Sequence, residues 1–353
     1  MSERSVCLME DPVIHGGDVY RNKVKLDLSV SLNPYPVPEE VRGAAMQGLL
    51  RMHQYPDPSH ERLRGEIARL EGVLPEQVIP GNGASELLMA VVHAAQPETA
   101  LLPAPCYAGY EIALRASGCE IREYPLEESR DFLLGDDYLE VLTPDLDIAF
   151  LTDPNNPTGR RIDGTLLDRI IRRCQVNNIL LVLDETFLPL TEEAGPASLT
   201  EPGVIHIRAF TKVFAVPGLR IGYLICGEDR LLRKIRLHLP EWNLSTAAED
   251  AGTAAAKVLA ETDFLARSLC MIRKEREYLT EEFRALGLRV CPGDANYLLV
   301  QADPELPDRL LERGILVRKC GNFHGLTDSW MRIAVRDHDE NKVLTDILKE
   351  IIL

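Results

Sequence analysis

From about residue 100 onward, short apolar runs alternate with longer stretches of helical periodicity, and this alternation limits the possible folds more than any other feature. Ala100 to Leu102, Glu120 to Tyr124, Ile148 to Leu151, Ile179 to Leu183, Val204 to Ile207 and Gly222 to Cys226 read as strands, with helices at Tyr107 to Ser117 and Gly164 to Asn177 between them. A strand covered on both faces is a continuous apolar run, and parallel neighbours need crossover helices. The pattern therefore predicts an α/β chain with a mostly parallel sheet and helices on both faces. In such sheets ligands sit beyond the carboxyl ends of the strands.

Upstream, Leu26 to Pro34 reads as a strand ending at a proline, and Pro38 to Met52 and Ser59 to Leu70 as helices, the second with a cap signal at Ser59. Val78 to Glu86 reads as strand, glycine turn and helix start. Downstream, Glu228 to His238, Thr246 to Leu259 and Asp263 to Leu286 read as helices. Short strands follow at Leu288 to Val290, Tyr297 to Val300, Leu316 to Arg318 and Met331 to Val335, with helices at Glu305 to Arg313 and Asp339 to Ile351. This is the pattern of a smaller α+β domain with an antiparallel sheet. The expected division is an N-terminal arm over 1–34, a large domain over 35–245 and a small C-terminal domain over 246–353.

Composition narrows the function. With 353 residues, 45% apolar and 27% charged, the chain is long enough for a sizeable core. A formal net charge of −16 argues against nucleic acid or an anionic membrane as partner, so an anionic substrate would need a local basic pocket. The eight cysteines form no Cys-x-x-Cys pair and no signal-peptide pattern opens the chain, so they read as reduced thiols of a cytoplasmic protein. The eight histidines show no metal-ligand spacing, and no apolar run approaches the ~20 residues that span a membrane.

Three stretches carry chemistry. In Arg208-Ala-Phe-Thr-Lys-Val-Phe-Ala-Val-Pro-Gly-Leu-Arg220, Lys212 lies among hydrophobic residues with Arg220 eight positions on. A lysine in apolar surroundings beside a cation has a lowered pKa, so its amine can form a Schiff base near neutral pH. Thr211 and Arg220 are candidates for holding a phosphate. Asp153-Pro-Asn-Asn-Pro-Thr-Gly159 follows one strand, and Asp184-Glu-Thr-Phe187 ends another. Asn156, Asp184 and Lys212 thus all fall just past strand ends. The turn at Gly83-Ala84-Ser85 opens a helix whose first free amides suit a phosphate, although it lacks the Gly-Lys-Ser/Thr of a Walker loop.

Taken in this order, the motifs resemble the pyridoxal-phosphate signature of the aminotransferase class I/II superfamily, fold type I, over nearly the whole chain. The resemblance implies a large domain with a mostly parallel, seven-stranded-type sheet, a small α+β domain, and a homodimer with shared active sites. It implies pyridoxal 5'-phosphate bound through Lys212, with Asp184 keeping the pyridine nitrogen protonated so that the ring acts as an electron sink. Asn156 would donate to the ring's 3-oxygen, and Tyr107 would stack on the ring. Gly83, Ala84, Ser85, Thr211 and Arg220 would hold the phosphate, with Tyr55 reaching it from the neighbouring subunit. Arg332 matches the arginine that clamps the substrate carboxylate, and its planar fork suits that bidentate task. Arg318 matches a second arginine used for phosphorylated substrates, and His15 and Gly16, beside Gly17, are placed to contact an oxyanion. Three positions depart from the usual pattern: Ala209 in place of Ser or Thr, Phe187 where many relatives carry tyrosine, and Ser31 where a substrate-contacting asparagine is usual.

Within the superfamily two branches are similar, the threonine-phosphate decarboxylases and the histidinol-phosphate aminotransferases. His15-Gly-Gly17, Phe187 and Val317-Arg-Lys-Cys-Gly-Asn-Phe323 point to the first, while Ser31 departs from both. The resemblance implies action at Cα of a small, anionic amino acid. Decarboxylation of O-phospho-L-threonine or a close analogue is the working expectation, and transamination of an L-amino acid or phosphorylated amine is the alternative. The two differ in which Cα bond stands perpendicular to the cofactor plane, an angle that the sequence leaves open.

Overall fold

The computed structural model describes residues 17–192 and 198–353. A two-residue strand β1 (Leu26–Asp27) precedes the helices α1 (Glu39–Leu50) and α2 (Glu61–Glu71). The large sheet and its crossovers follow as β2 (Val78–Gly81), α3 (Ala84–Ala95), β3 (Thr99–Ala104), α4 (Ala108–Ala116), β4 (Glu120–Pro125), α5 (Tyr138–Val141), β5 (Ile148–Thr152), α6 (Gly164–Asn177), β6 (Leu180–Asp184), β7 (Val204–Ala209), the one-turn helix α7 (Phe210–Val213) and β8 (Gly222–Cys226). Three helices come next, α8 (Asp229–Arg236), α9 (Thr246–Glu261) and α10 (Phe264–Ala285). The chain closes with β9 (Arg289–Val290), β10 (Tyr297–Gln301), α11 (Leu306–Glu312), β11 (Ile315–Leu316), β12 (Arg318–Lys319), β13 (Trp330–Ala334) and α12 (His338–Ile352).

The seven-stranded sheet has the order β2-β8-β7-β6-β5-β3-β4. Its pairings are parallel except at β8, which runs antiparallel to both neighbours. This is the mostly parallel α/β fold that the alternation predicts. The central strands are apolar on both faces because both faces are covered. Ile148, Ala149, Phe150 and Leu151 on β5 are all at most 1% exposed, and each large side chain so buried contributes roughly 1.5–3 kcal/mol. Helix starts follow their local chemistry. The Asp163 carboxylate accepts from the Leu166 amide at 3.0 Å, and the Ser245 hydroxyl from the Ala248 amide at 3.1 Å.

A four-stranded antiparallel sheet, β12-β13-β10-β9, forms the second layer system. Helix α9 packs against α1 and α2 on the large sheet's side, while α10 serves both cores: Phe264 and Ile272 lie with α9, Leu279 and Phe283 with the small sheet. The described part of the arm joins the small sheet. Leu26 and Leu28 are buried in its core, and β1 pairs in parallel with β11.

Three local expectations are corrected. The strand expected over Leu26 to Pro34 is two residues long, because beyond Asp27 the chain bonds to several elements in turn rather than to one ladder. Ser59 is not the cap of α2. Asp57 does that work, accepting from the amides of Ser59 at 2.9 Å and Glu61 at 2.8 Å. The strand expected over Leu316 to Arg318 is split, β11 pairing with the arm and β12 with β13.

Candidate active site

At the carboxyl ends of β5, β6 and β7 a cavity opens toward the small sheet. Its wall includes Ser85, Asn156, Asp184, Thr211, Lys212 and Arg332, together with Ala84, Tyr107, Tyr110, Phe187, Ala209 and Arg220. Residues separated by more than 200 positions in sequence therefore converge here, as the strand-end rule predicts.

Lys212 sits on α7, the single turn that follows β7. Its amine is 5.5 Å from the centre of the Phe187 ring. Burial and the nearby Arg332 and Arg220 guanidiniums hold its pKa down at about 8, from an ordinary value of 10.5. A sizeable fraction of the amine is then neutral near physiological pH, which a nucleophilic lysine requires. Its turn is fastened from the arm: the Asn33 amide donates to the Lys212 carbonyl at 3.0 Å, and the Asn33 side chain donates to the Val213 carbonyl at 2.7 Å.

Asp184 ends β6 and is 4% exposed. Burial raises its pKa, opposed by hydrogen bonds from Tyr110 and the Thr186 amide. The Tyr110 hydroxyl donates to its Oδ2 at 2.7 Å, and the Thr186 amide to its Oδ1 at 3.0 Å. The neighbouring Glu185 faces the other way into a buried ion network. Burial opposes its charge, but Arg208 and His206 hold its carboxyl down at about 2.

At the turn that starts α3, Gly83 combines a positive φ of 78° with a close approach. A Cβ there would lie 2.4 Å from Arg220 Nη2. Glycine thus lets a guanidinium lie against the turn that starts α3, beside the wall residues Ala84 and Ser85 and the buried Thr211. Ala209 presents a methyl group to the cavity and adds no donor.

Across the cavity, Arg332 on β13 is 4% exposed. Its Nη1 donates to Asn156 Oδ1, its Nη2 donates to the Ser29 carbonyl at 3.0 Å, and its Nε is buried with no acceptor. Arg318 lies directly opposite Arg332 in the β12–β13 register and is 6% exposed. It stands outside the wall, with its guanidinium over the Phe323 ring at 4.9 Å and its Nη1 donating to the Lys319 carbonyl. Among the described residues, neither arginine has a carboxylate partner. Like charges side by side in a sheet repel unless an anion lies between or near them.

The remaining candidates separate from this group. Tyr55 does not reach the cavity of its own chain. It is 77% exposed and stacks on Trp242 with ring centres 4.5 Å apart. Ser31 is 1% exposed, its hydroxyl has no hydrogen-bond partner, and it is not in the wall, because the arm turns it into the protein between Ser29 and Asn33. His15 and Gly16 lie outside the described residues. Tyr110, Thr152 and Thr186 were not singled out from the sequence. Only Tyr110 carried a signal, its position three residues after Tyr107 on the same helix face.

Among the described residues no helix is long and apolar enough to cross a membrane, and no group of His, Cys, Asp or Glu could hold a metal ion. Residues 23–348 match the family model for aminotransferase class I and II, whose members depend on pyridoxal phosphate. The threonine-phosphate decarboxylase of Salmonella typhimurium is 36% identical over 93% of this chain and 91% of its own. The histidinol-phosphate aminotransferase of Methanococcus aeolicus is 29% identical over 93% and 90%. Among solved structures, the histidinol-phosphate aminotransferase of Clostridium acetobutylicum superimposes with a TM-score of 0.85 at 29% identity, covering 92% of this chain and 98% of that one.

Proposed function

Since the chain belongs to the aminotransferase class I and II family of enzymes, we propose that it binds pyridoxal phosphate in this cavity and decarboxylates O-phospho-L-threonine or a close analogue. The observation that carries the substrate is the pair of buried guanidiniums, Arg318 and Arg332, side by side on neighbouring strands. A substrate with a carboxylate and a phosphate would satisfy both.

The cavity's residues fit the cofactor. Gly83, Ala84, Ser85, Thr211 and Arg220 would take its phosphate, where a Cβ at residue 83 would displace the guanidinium. Lys212 offers a partly neutral amine for attachment. Asp184 would accept from the ring nitrogen, Asn156 would donate to the ring's 3-oxygen, and Tyr107 would cover the ring. When bound, the cofactor supplies an electron sink for negative charge that develops at Cα. Arg332 would hold the substrate carboxylate, and Arg318, outside the wall but beside Arg332 in the sheet, would answer its phosphate. In decarboxylation the Cα–carboxylate bond breaks, carbon dioxide leaves, its electron pair stays with Cα, and a proton from Lys212 or water replaces it. In the alternative the Cα–H bond breaks and Lys212 takes the proton.

The second reading, amino transfer of the histidinol-phosphate aminotransferase type, is favoured by the extent of structural similarity to such an enzyme. A homodimer completed by Tyr55 is part of the proposal. Met46, Leu49, Leu50 and Met52 are all more than half exposed on α1 and its following turn, near the stacked Tyr55 and Trp242. Exposed apolar side chains in such numbers mark an interface. We also place the chain in the cytoplasm, where the cysteines of the described residues, all unpaired, would stay reduced.

Product analysis tests the assignment. Enzyme and pyridoxal phosphate are mixed with O-phospho-L-threonine and no keto acid. Catalytic release of carbon dioxide and a phosphorylated amino alcohol is expected. No release, with amino transfer on adding 2-oxoglutarate and histidinol phosphate or L-amino acids, would replace the decarboxylase reading by the second.

A further inference from the structure

Tyr297 on β10 has no exposed surface and lies outside the cavity wall, yet it touches each half of the site. The Arg332 guanidinium lies over its ring, 5.1 Å from the centre. Its hydroxyl donates to the Asn155 carbonyl at 2.9 Å, one residue before Asn156. The Phe187 ring meets it edge-on at 5.1 Å, and the Lys212 amine is 5.5 Å from the centre of that Phe187 ring. Gly159, which closes the loop carrying Asn156, packs against the same ring, with its Cβ direction 3.6 Å from Tyr297 Cε2.

A guanidinium is planar, and a carboxylate held by two of its N–H groups lies in the same plane. The tilt of that plane therefore passes to the clamped carboxylate. The two acceptors of Arg332, Asn156 Oδ1 and the Ser29 carbonyl, fix points along its edge. Rotation about the line joining them would move the guanidinium relative to the Tyr297 ring, whose centre lies 5.1 Å from Cζ. The hydroxyl adds a second constraint, because it ties the same ring to the segment that positions Asn156. A tyrosine present only to fill a core would need some acceptor, but not one in the loop that also bonds the arginine.

We propose that Tyr297 is a positioning residue for reaction specificity: its ring sets the plane of the Arg332 guanidinium, its hydroxyl locks that plane to the Asn156 loop, and together they select which bond at Cα of a clamped anionic amino acid is presented for breaking. The inference rests on the reading of this cavity as a site for chemistry at Cα.

Two variants of the holoenzyme separate the ring from the hydroxyl. Tyr297→Leu removes the face under the arginine, and Tyr297→Phe keeps it. Crystal structures of both report the guanidinium plane directly. The ratio of carbon dioxide release to amino transfer, measured with O-phospho-L-threonine and 2-oxoglutarate, reports the consequence. In Tyr297→Leu the plane is expected to rotate with loss of the Ser29 or Asn156 bond, and the ratio to change by about tenfold, the scale of a desolvated cation–π contact. In Tyr297→Phe the ring is kept and only its tie to the Asn156 loop is lost, so the Ser29 and Asn156 bonds persist and the ratio moves by about fivefold, the scale of one neutral hydrogen bond. A folded Tyr297→Leu protein with the guanidinium in its wild-type plane, or with the plane rotated and the ratio unchanged, overturns the proposal. If wild-type enzyme leaves O-phospho-L-threonine untouched, the decarboxylase assignment fails by itself. The guanidinium plane in the Leu variant still decides the role of Tyr297, and the ratio is then read as amino transfer against release with the substrate that is turned over.

Discussion

The two sides of the cavity are built on opposite plans. On the large-sheet side every group follows a strand: Asn156 after β5, Asp184 at the end of β6, Lys212 one turn past β7. Charges there are mixed, with the Asp184 carboxylate beside Lys212 and Arg220, and Asp184 is answered by Tyr110 and Thr186. On the small-sheet side the charges have one sign, Arg332 and Arg318, and no carboxylate among the described residues answers them. The first side joins a carboxylate, an amine and a guanidinium and suits a resident group with charges of both signs. The second is left electrostatically open and suits a visitor that brings its own negative charge. In the reading proposed above, the mixed wall holds the cofactor and the wholly positive one the substrate.

The largest test of this contrast is Lys212→Ala, which removes the amine proposed to attach the cofactor and move the proton at Cα. Turnover is expected to fall by roughly 10⁴-fold, the upper scale for a lost proton-transfer group, with an unchanged circular dichroism spectrum. Turnover near wild type would end the assignment of that side. On the visitor side, Arg332→Lys keeps the charge and loses the fork, so kcat/KM should drop by about 100-fold. Arg318→Gln should weaken O-phospho-L-threonine by about tenfold and leave the non-phosphorylated amino acid unaffected, as one charged hydrogen bond is lost. Equal losses for both substrates would move Arg318 away from the phosphate.

A third test uses pH on the cofactor-free protein. The Lys212 pKa in the fold, about 8, lies below its ordinary 10.5, so the amine is protonated below 8 and neutral above it. Capture of pyridoxal phosphate, followed by stopped-flow absorbance, should therefore speed up by about tenfold per unit as pH rises toward 8, and level off above. The same depression makes the folded state give up this proton first between 8 and 10.5, so Lys212 adds to stability as pH rises through that window. A capture rate flat from pH 6 to 9 would contradict the depressed pKa. The smallest effect is expected of Tyr55→Phe, about fivefold weaker cofactor retention on dialysis, the loss of one hydrogen bond contributed across the proposed dimer.

The two sides also differed in how far they could be read from sequence. Asp184 and Lys212 declared themselves because each follows a buried apolar run, and the position after such a run is where a parallel sheet presents its chemistry. Tyr297 gave no such signal. It is one more aromatic in a strand until the fold brings Arg332, 35 positions later, over its ring and Asn155, 142 positions earlier, against its hydroxyl. Asn33 is similar, since its value lies in bonds to Val213 and Ser268 on distant helices. The split of Leu316 to Arg318 between two sheets was hidden for the same reason. Its apolar pattern is that of one strand, and only the arm's arrival beside Ile315 divides it.

The arm spans the cavity in five residues. Ser29 holds the arginine through its carbonyl, and Asn33 holds the lysine's turn through its amide. The strap bends at Ser29 and Val30, and the Leu32 amide donates back to the Val30 carbonyl at 3.1 Å, so that turn sets the spacing between Arg332 and the turn of Lys212. Adding or removing one residue between 29 and 33 would change the gauge of the site without touching any group that meets the substrate. The separation of the two groups is then set by a segment outside the cavity wall.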